Sequence, residues 1–191
     1  MMNNLPKIDK NRVVLRDIKI DDATFLMNLN NDSEIAKYVV GTPKKVTLQQ
    51  QMQWMKNIKH ETQIKRFIVE FEDLPVGTVI ISDIDSSNAT ANINIKLQAS
   101  IRGKGIGKQC IKLAMEYCFK IMGIFCLTAH VLLYNKASLA LFQSCGFIRE
   151  GILRSRVIKN NKRCDLVSFS MTYNDFEQII QRQQQDKGCI E

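Results

Sequence analysis

Seven residues, Arg102-Gly103-Lys104-Gly105-Ile106-Gly107-Lys108, stand between an alternating strand-like run and a long amphipathic segment. Glycines at every second position let the backbone turn sharply and approach a ligand with no Cβ in the way. A helix that follows such a turn leaves its first N–H groups unpaired and carries a positive dipole end, which suits a phosphate. Arg102, Lys104 and Lys108 add positive charge at the same place. The chemistry expected here is the capture of a phosphorylated ligand.

Elements on either side must hold that turn. Val13 to Ile18 reads as a strand, and Asp21 is expected to cap a helix through Ala23, Phe25, Leu26 and Leu29 that ends near the turn-prone Asn30-Asn31-Asp32. Gly41-Thr42-Pro43 breaks the chain, and Thr47 can cap a second helix carrying Met52, Trp54, Met55 and Ile58. Lys65–Phe71 and Val76–Asp83 read as a hairpin joined at Glu72-Asp73-Leu74-Pro75, with Thr90–Gln98 as the third strand of the meander. Beyond the glycine turn, Cys110, Ile111, Ala114, Cys118 and Ile121 recur at helical spacing. Cys126–Val131 is a short buried strand, and Asn135–Ser144 is a helix closed by Gly146. Phe147–Ile158 and Arg163–Tyr173 form a last hairpin turning at Asn160-Asn161. From Asn174 the chain is a polar helical tail, frayed over Gln181–Gln185. The order β-α-α-β-β-β-α-β-α-β-β predicts a mixed α/β (α+β) sheet with helices on both faces, in a single domain over 1–191 whose core runs from about 13 to 173.

Composition narrows the classes further. The chain has 191 residues, 45% hydrophobic and 24% charged, a balance that suits one soluble domain. Met1 to Lys7 carries no apolar leader pattern, and no apolar run reaches membrane-spanning length. The six cysteines (Cys110, Cys118, Cys126, Cys145, Cys164 and Cys189) make no C-x-x-C pair, and His60 and His130 are the only histidines. Free thiols in a bacterial-type cytoplasmic protein fit this usage better than a disulfide scaffold or a metal centre. The net charge of +8 is scattered, without the aromatic strand signature of an RNA-binding sheet, so no nucleic-acid partner is expected.

Three kinds of glycine turn compete for Arg102–Lys108. A P-loop needs four residues between its first glycine and Gly-Lys-Ser/Thr, which this segment lacks. A dinucleotide turn needs G-x-G-x-x-G in a β-α-β unit, whereas Gly103, Gly105 and Gly107 follow an antiparallel meander at the wrong spacing. Arg-x-x-Gly-x-Gly, here Arg102, Gly105 and Gly107, instead resembles the acyl-CoA pyrophosphate turn of the GCN5-related N-acetyltransferases, the GNAT superfamily. A second motif agrees with it. Asn135-Lys136-Ala137-Ser138-Leu139-Ala140-Leu141-Phe142-Gln143-Ser144-Cys145-Gly146-Phe147 resembles the second cofactor helix of that family. Leu15-Arg16, Leu29 to Asp32, Ile148 to Gly151 and Leu153-Arg154 are similar to the branch of ribosomal-protein-alanine and spermidine acetyltransferases.

The resemblance, which spans about Val13 to Tyr173, implies a GNAT fold: one mixed, mostly antiparallel sheet of about seven strands flanked by helices on both faces. It implies acetyl-CoA as co-substrate, no metal, and an acetyl transfer by direct attack of a primary amine in a ternary complex. Amides of Gly103, Lys104, Gly105, Ile106, Gly107 and Lys108 would wrap the pyrophosphate, with Arg102 and Lys104 near the ribose phosphate or solvent. Ile95, Lys96, Leu97 and Gln98 would bind the pantetheine as an extra strand and offer an amide to the thioester oxygen. Asn135 and Ser138 would hold the pantetheine arm, although Asn135 is equally a favoured helix cap. A homodimer is expected from family habit.

The proton path departs from the family. The position of the usual tyrosine acid, beside the cofactor, is Phe142, and the position of the usual glutamate base is Asn92. An attacking amine must nevertheless lose a proton, and the departing thiolate gains from receiving one. Tyr134 and Asp83 are the leading candidates, followed by Asp85, His130 and Glu150, each with a bland reading as packing or turn residue. Cys145 has no histidine partner in view and reads as buried packing. Asp32 and Glu34 stand against Lys37, Lys44 and Lys45, too few carboxylates for a polyamine. Arg149, Arg154, Arg156, Lys159, Lys162 and Arg163 make the last hairpin basic, which suits a small molecule bearing phosphate or carboxylate, such as a nucleotide-linked amino sugar, if they face the pocket. A protein N-terminal amine stays open as acceptor, and a non-catalytic acyl-CoA-binding module is the alternative.

Overall fold

The computed structural model describes residues 13–41, 44–58 and 61–188. The expectations placed on Met1–Lys7, Thr42-Pro43, His60 and Cys189 lie outside the described residues. Seven strands form one sheet: β1 (Val14–Asp17), β2 (Lys65–Phe71), β3 (Leu74–Asp85), β4 (Thr90–Leu97), β5 (Cys126–Leu132), β6 (Ile148–Lys159) and β7 (Lys162–Thr172). Their order across the sheet is β1-β2-β3-β4-β5-β7-β6. Every pairing is antiparallel except β4 with β5.

Side chains alternate along each strand, so each strand serves two layers. Phe67 and Val69 join a large core with Val79, Ile81, Ile93, Leu127 and Phe169. That core is closed by α4 (Ile106–Glu116), α5 (Lys136–Ser144) and α6 (Tyr173–Gly188). Ile68, between Phe67 and Val69, faces the other way into a smaller core with Ala23 and Leu26 of α1 (Ala23–Asn31) and Met55 of α3 (Leu48–Asn57). Helices therefore cover both faces, as the sequence order implied.

Several local expectations are met by visible chemistry. Thr47 caps α3 in a reciprocal box: its hydroxyl accepts from Gln50 N–H at 3.2 Å and the Gln50 side chain accepts from Thr47 N–H at 2.9 Å. Asn160-Asn161 turn the β6–β7 hairpin with φ of 49° and 60°. Gly146 takes φ 92° just past α5.

Others are corrected. The β2–β3 hairpin turns on Glu72-Asp73 alone, and Pro75 lies inside β3 opposite Glu70, at a bulge that spares the missing N–H. Asn30-Asn31-Asp32 is more than a turn, because Asp32 accepts from Glu34 and Ile35 N–H and starts a one-turn helix, α2 (Ser33–Ala36). After Glu116 the helix widens to a π-type turn over Tyr117–Ile121, which shifts its phase, so Phe119 is buried and Ile121 is 74% exposed. The core also continues past 173. Phe176 of α6 is 1% exposed and stacks on Phe119 at 5.0 Å, and α6 stays helical through Gln181–Gln185 rather than fraying.

Asp21 does not cap α1. Its neighbour Asp22 is buried and accepts from both terminal nitrogens of Arg16 at 2.7 Å and from Lys19 N–H at 2.7 Å. Burial raises the pKa of this carboxyl, but the Arg16 and Lys19 bonds outweigh it and hold it below its ordinary value. A depressed folded pKa means stabilisation that is present above the unfolded value and lost as pH falls through the folded one. Asp22→Asn is thus expected to cost about 2 kcal/mol at neutral pH and much less in acid, where the wild type also loses the pair, a difference that urea melts at the two conditions would show.

Candidate active site

The glycine turn joins β4 to α4. Gly103 and Gly105 have φ of 79° and 78°, the left-handed region, and nothing lies within 4 Å of a Cβ built on either. Gly105 is the N-cap of α4, and its carbonyl accepts from Lys108 N–H at 3.1 Å. Both glycines thus shape an open cradle beside a helix N-terminus. Gly107 does something different. It is helical, and a Cβ there would stand 3.3 Å from Leu141 Cδ2, so this glycine sets the approach of α4 to α5. Lys104 and Lys108 are exposed, while Arg102 folds back and donates to Leu97 O at 3.3 Å.

A gap in the sheet leads away from the turn. β4 and β5 pair only at Thr90, Ala91 and Asn92 against Cys126, Leu127 and Thr128. Beyond them β4 continues to Leu97 paired to β3 alone, and β5 continues to Leu132 paired to β7 alone. One edge of Ile93–Leu97 is therefore without a strand partner, a ready surface for an extended chain. Gly77 keeps β3 against that segment, since a Cβ there would meet Lys96 O at 2.3 Å. Gln98 lies beyond β4 and donates its N–H to Val76 O at 2.9 Å, so that amide is not free for a thioester.

At the mouth of the gap, Asn92, Asn94 and His130 share the sheet face opposite α4. Asn92 Nδ2 lies 2.8 Å from His130 Nδ1, and Asn94 Nδ2 donates to Asn92 Oδ1 at 3.2 Å. Turning both amides over keeps both bonds with donor and acceptor exchanged, so the pair can hold either neutral tautomer of the imidazole. Burial first, then the charge of Arg156, push the His130 pKa below its ordinary value, with Asp83 pulling the other way. His130 is a neutral imidazole at neutral pH. Asn92 thus holds the imidazole ring in place.

The other candidates have structural duties. The Tyr134 hydroxyl donates to Lys37 O at 2.7 Å, and burial raises its pKa. Asp83 is exposed at the β3 bulge with φ 52°. Asp85 accepts from Ser87 and Asn88 N–H and closes the β3–β4 turn. Glu150 bonds the Ser170 hydroxyl. The Asn135 amide caps α5, accepting from Ser138 N–H at 3.2 Å and donating to Ser138 Oγ at 3.1 Å and Tyr38 O at 3.4 Å. Phe142, expected beside the cofactor, is a core residue 3% exposed, packed on Phe147 at 5.1 Å and Phe169 at 6.1 Å. Cys145 is buried and burial raises its thiol pKa, as expected of packing.

Lys159 has a structural duty that its place in a basic hairpin does not signal. It is 8% exposed and donates to Ala36 O at 2.7 Å, Val39 O at 3.1 Å and Gly41 O at 2.7 Å, while Arg149, Arg154, Arg156, Lys162 and Arg163 around it are exposed. With Tyr134 and Asn135 it pins the segment after α2 to the sheet. Lys159→Met should leave those carbonyls unpaired and cost about 2 kcal/mol, with faster amide exchange over 36–41 as the local readout.

Fold and site together define an acyltransferase architecture. The acetyltransferase (GNAT) domain family matches residues 12–148. The chain belongs to that family and is an N-acetyltransferase. It is 28% identical over 156 residues to spermidine N(1)-acetyltransferase of Vibrio cholerae, covering 81% of this chain and 90% of that one. It is also 28% identical over 169 residues to the uncharacterized N-acetyltransferase p20 of Bacillus licheniformis, covering 86% and 95%. The crystal structure of the Vibrio cholerae spermidine enzyme with CoA and spermine superposes with a TM-score of 0.81 at 25% identity, covering 86% of this chain and 97% of that one.

Proposed function

We propose that this chain moves the acetyl group of acetyl-CoA to an amine held on the sheet face that carries Asn92, Asn94, Lys96 and His130. The observation that carries the reading is the parting of β4 and β5 directly between the glycine cradle and His130. Acetyl-CoA supplies the activated acyl group when bound. Its phosphates fit the cradle of Gly103 and Gly105, where amides of 103–108 and the positive helix end receive them. The free edge of Ile93–Leu97 takes the extended pantetheine arm, and the Ser138 hydroxyl, which accepts from Asn135, keeps its own proton to donate to that arm. His130 receives the proton of the attacking amine, with Asn92 fixing the ring and Asp83 favouring the charge that forms.

Free thiols at Cys110, Cys118, Cys126, Cys145 and Cys164 support a reducing, cytoplasmic setting. Among the described residues no helix is long and apolar enough to cross a membrane. A homodimer is supported by β6, an outer strand of the sheet with Ile148 and Ile152 exposed, and light scattering would test it. The activity itself is tested by following CoA thiol release and acetylated product by mass spectrometry across a panel of primary amines that includes spermidine. Product from at least one amine is expected; acetyl-CoA binding with no product from any would favour a non-catalytic binding module.

A further inference from the structure

The acceptor face of β4 carries a cation with no counter-ion among the described residues. Lys96 is half-buried, and among the described residues its ammonium makes one hydrogen bond, donating to Asn30 Oδ1 at 3.2 Å. That bond fixes the direction of the next one. Asn30 must present its oxygen to Lys96, so its Nδ2 donates onward to Gln51 Oε1 at 3.2 Å. Gln51 is 3% exposed, and its Nε2, left facing away from Asn30, has no hydrogen-bond partner. Among the described residues the chain of bonds therefore ends in donors without a protein acceptor, N–H groups on Lys96 at one end and the amide nitrogen of Gln51 at the other.

No acid answers them among the described residues. The ion pairs join Arg16 to Asp22 and Glu70, Lys37 to Glu34, Lys65 to Asp17 and Arg66 to Glu61. Asp32 is taken up by the cap of α2. A cation removed from water without an anion is unfavourable, and a buried donor without an acceptor is unfavourable as well. The unanswered cation on this face is satisfied by a ligand that brings a negative oxygen. A polyamine would instead bring more cations to an unpaired one.

Resting on the transferase reading, we infer that the acceptor amine carries an anionic group, a carboxylate or a phosphate, and that Lys96 receives it. Lys96 stands two and four residues along β4 from Asn94 and Asn92, roughly 7 and 13 Å at strand spacing. The amine lies at His130 and the anion toward Lys96, so the substrate is a short chain or ring with its two groups at opposite ends. Lys96 acts on specificity and leaves the proton transfer to His130.

The test compares 4-aminobutyrate, 6-aminohexanoate and O-phosphoethanolamine with n-butylamine and spermidine, for the wild type, Lys96→Met and Lys96→Arg. The wild type should favour an anionic amine by at least about tenfold in kcat/KM over butylamine and spermidine, with the carboxylate and phosphate arms showing which anion fits. Lys96→Met should erase the preference, and Lys96→Arg should keep part of it. Spermidine or butylamine turned over as well as the anionic amines, or a preference that survives Lys96→Met, overturns the proposal. Equilibrium titration of the same anionic amines onto CoA-saturated protein keeps the two readings apart. Binding that Lys96→Met abolishes supports the anion site even if no amine is acetylated; no binding, or equal binding by both proteins, overturns it.

Discussion

Gly105→Val is expected to weaken acetyl-CoA binding about 100-fold, close to 3 kcal/mol, while the protein stays folded. Gly105 sits at φ 78° with open space where a Cβ would project, so the substitution meets no wall. Its effect is conformational and local. A β-branched residue in the left-handed region costs roughly 1–2 kcal/mol, which the turn relieves by moving. Movement takes the N–H groups that open α4 off the position where a phosphate would lie, and the added methyls occupy the cradle itself. Gly107→Val provides the contrast. There the Cβ presses on Leu141 at 3.3 Å in an ordinary helical conformation, so the loss falls on α4–α5 packing and on the melting temperature. Equilibrium titration with CoA beside thermal melts separates the two variants. Gly105→Val binding acetyl-CoA like the wild type would remove the cradle from the site.

His130→Gln should lower kcat about 100-fold with little change in the KM for acetyl-CoA. Glutamine keeps an amide that can bond Asn92 but takes no proton near neutral pH. The pH profile carries the more specific signature. Burial and Arg156 disfavour the charged ring and Asp83 favours it, with a net pKa below the ordinary histidine value. The wild-type rate should therefore hold through pH values where a free histidine is already protonated, then fall as pH drops through the lowered pKa. Arg156→Ala, which removes a cation, should shift that fall to higher pH, and Asp83→Asn should shift it lower. Stability follows the same sign: the neutral ring favours the fold, and its contribution declines as pH falls below the unfolded value. A His130→Gln profile that matches the wild type in rate and shape would discard this histidine as the proton acceptor.

Much of the fold was legible in the chain because its signals are local. Thr47 and Gln50 box a helix start three residues apart, and Asn160-Asn161 turn a hairpin through their own dihedrals. Alternation along β2 and β4 assigns faces without knowledge of any neighbour. The glycine turn with the segment Asn135–Phe147 pointed to the acyl donor for the same reason: both are backbone shape and capping written over a few residues. Reading Asn92 by itself left out its neighbour. Its partner His130 is 38 residues away and meets it only because β5 lies parallel to β4 for three residues before the strands part.

By itself, then, the sequence determined the elements, the family and the acyl donor, because propensity, capping and turn chemistry act within a few residues. Tertiary structure alone decided which long-range side chains meet. It turned Lys159 from a surface charge into a clamp on carbonyls more than a hundred residues away, and it took Phe142 and Tyr134 for packing and anchoring. It also set Lys96 beside Asn30, with no acid among the described residues to answer it. The reason is physical: charge pairing, desolvation and shared hydrogen bonds depend on distance in space, which the order β1-β2-β3-β4-β5-β7-β6 sets and no short window of residues contains.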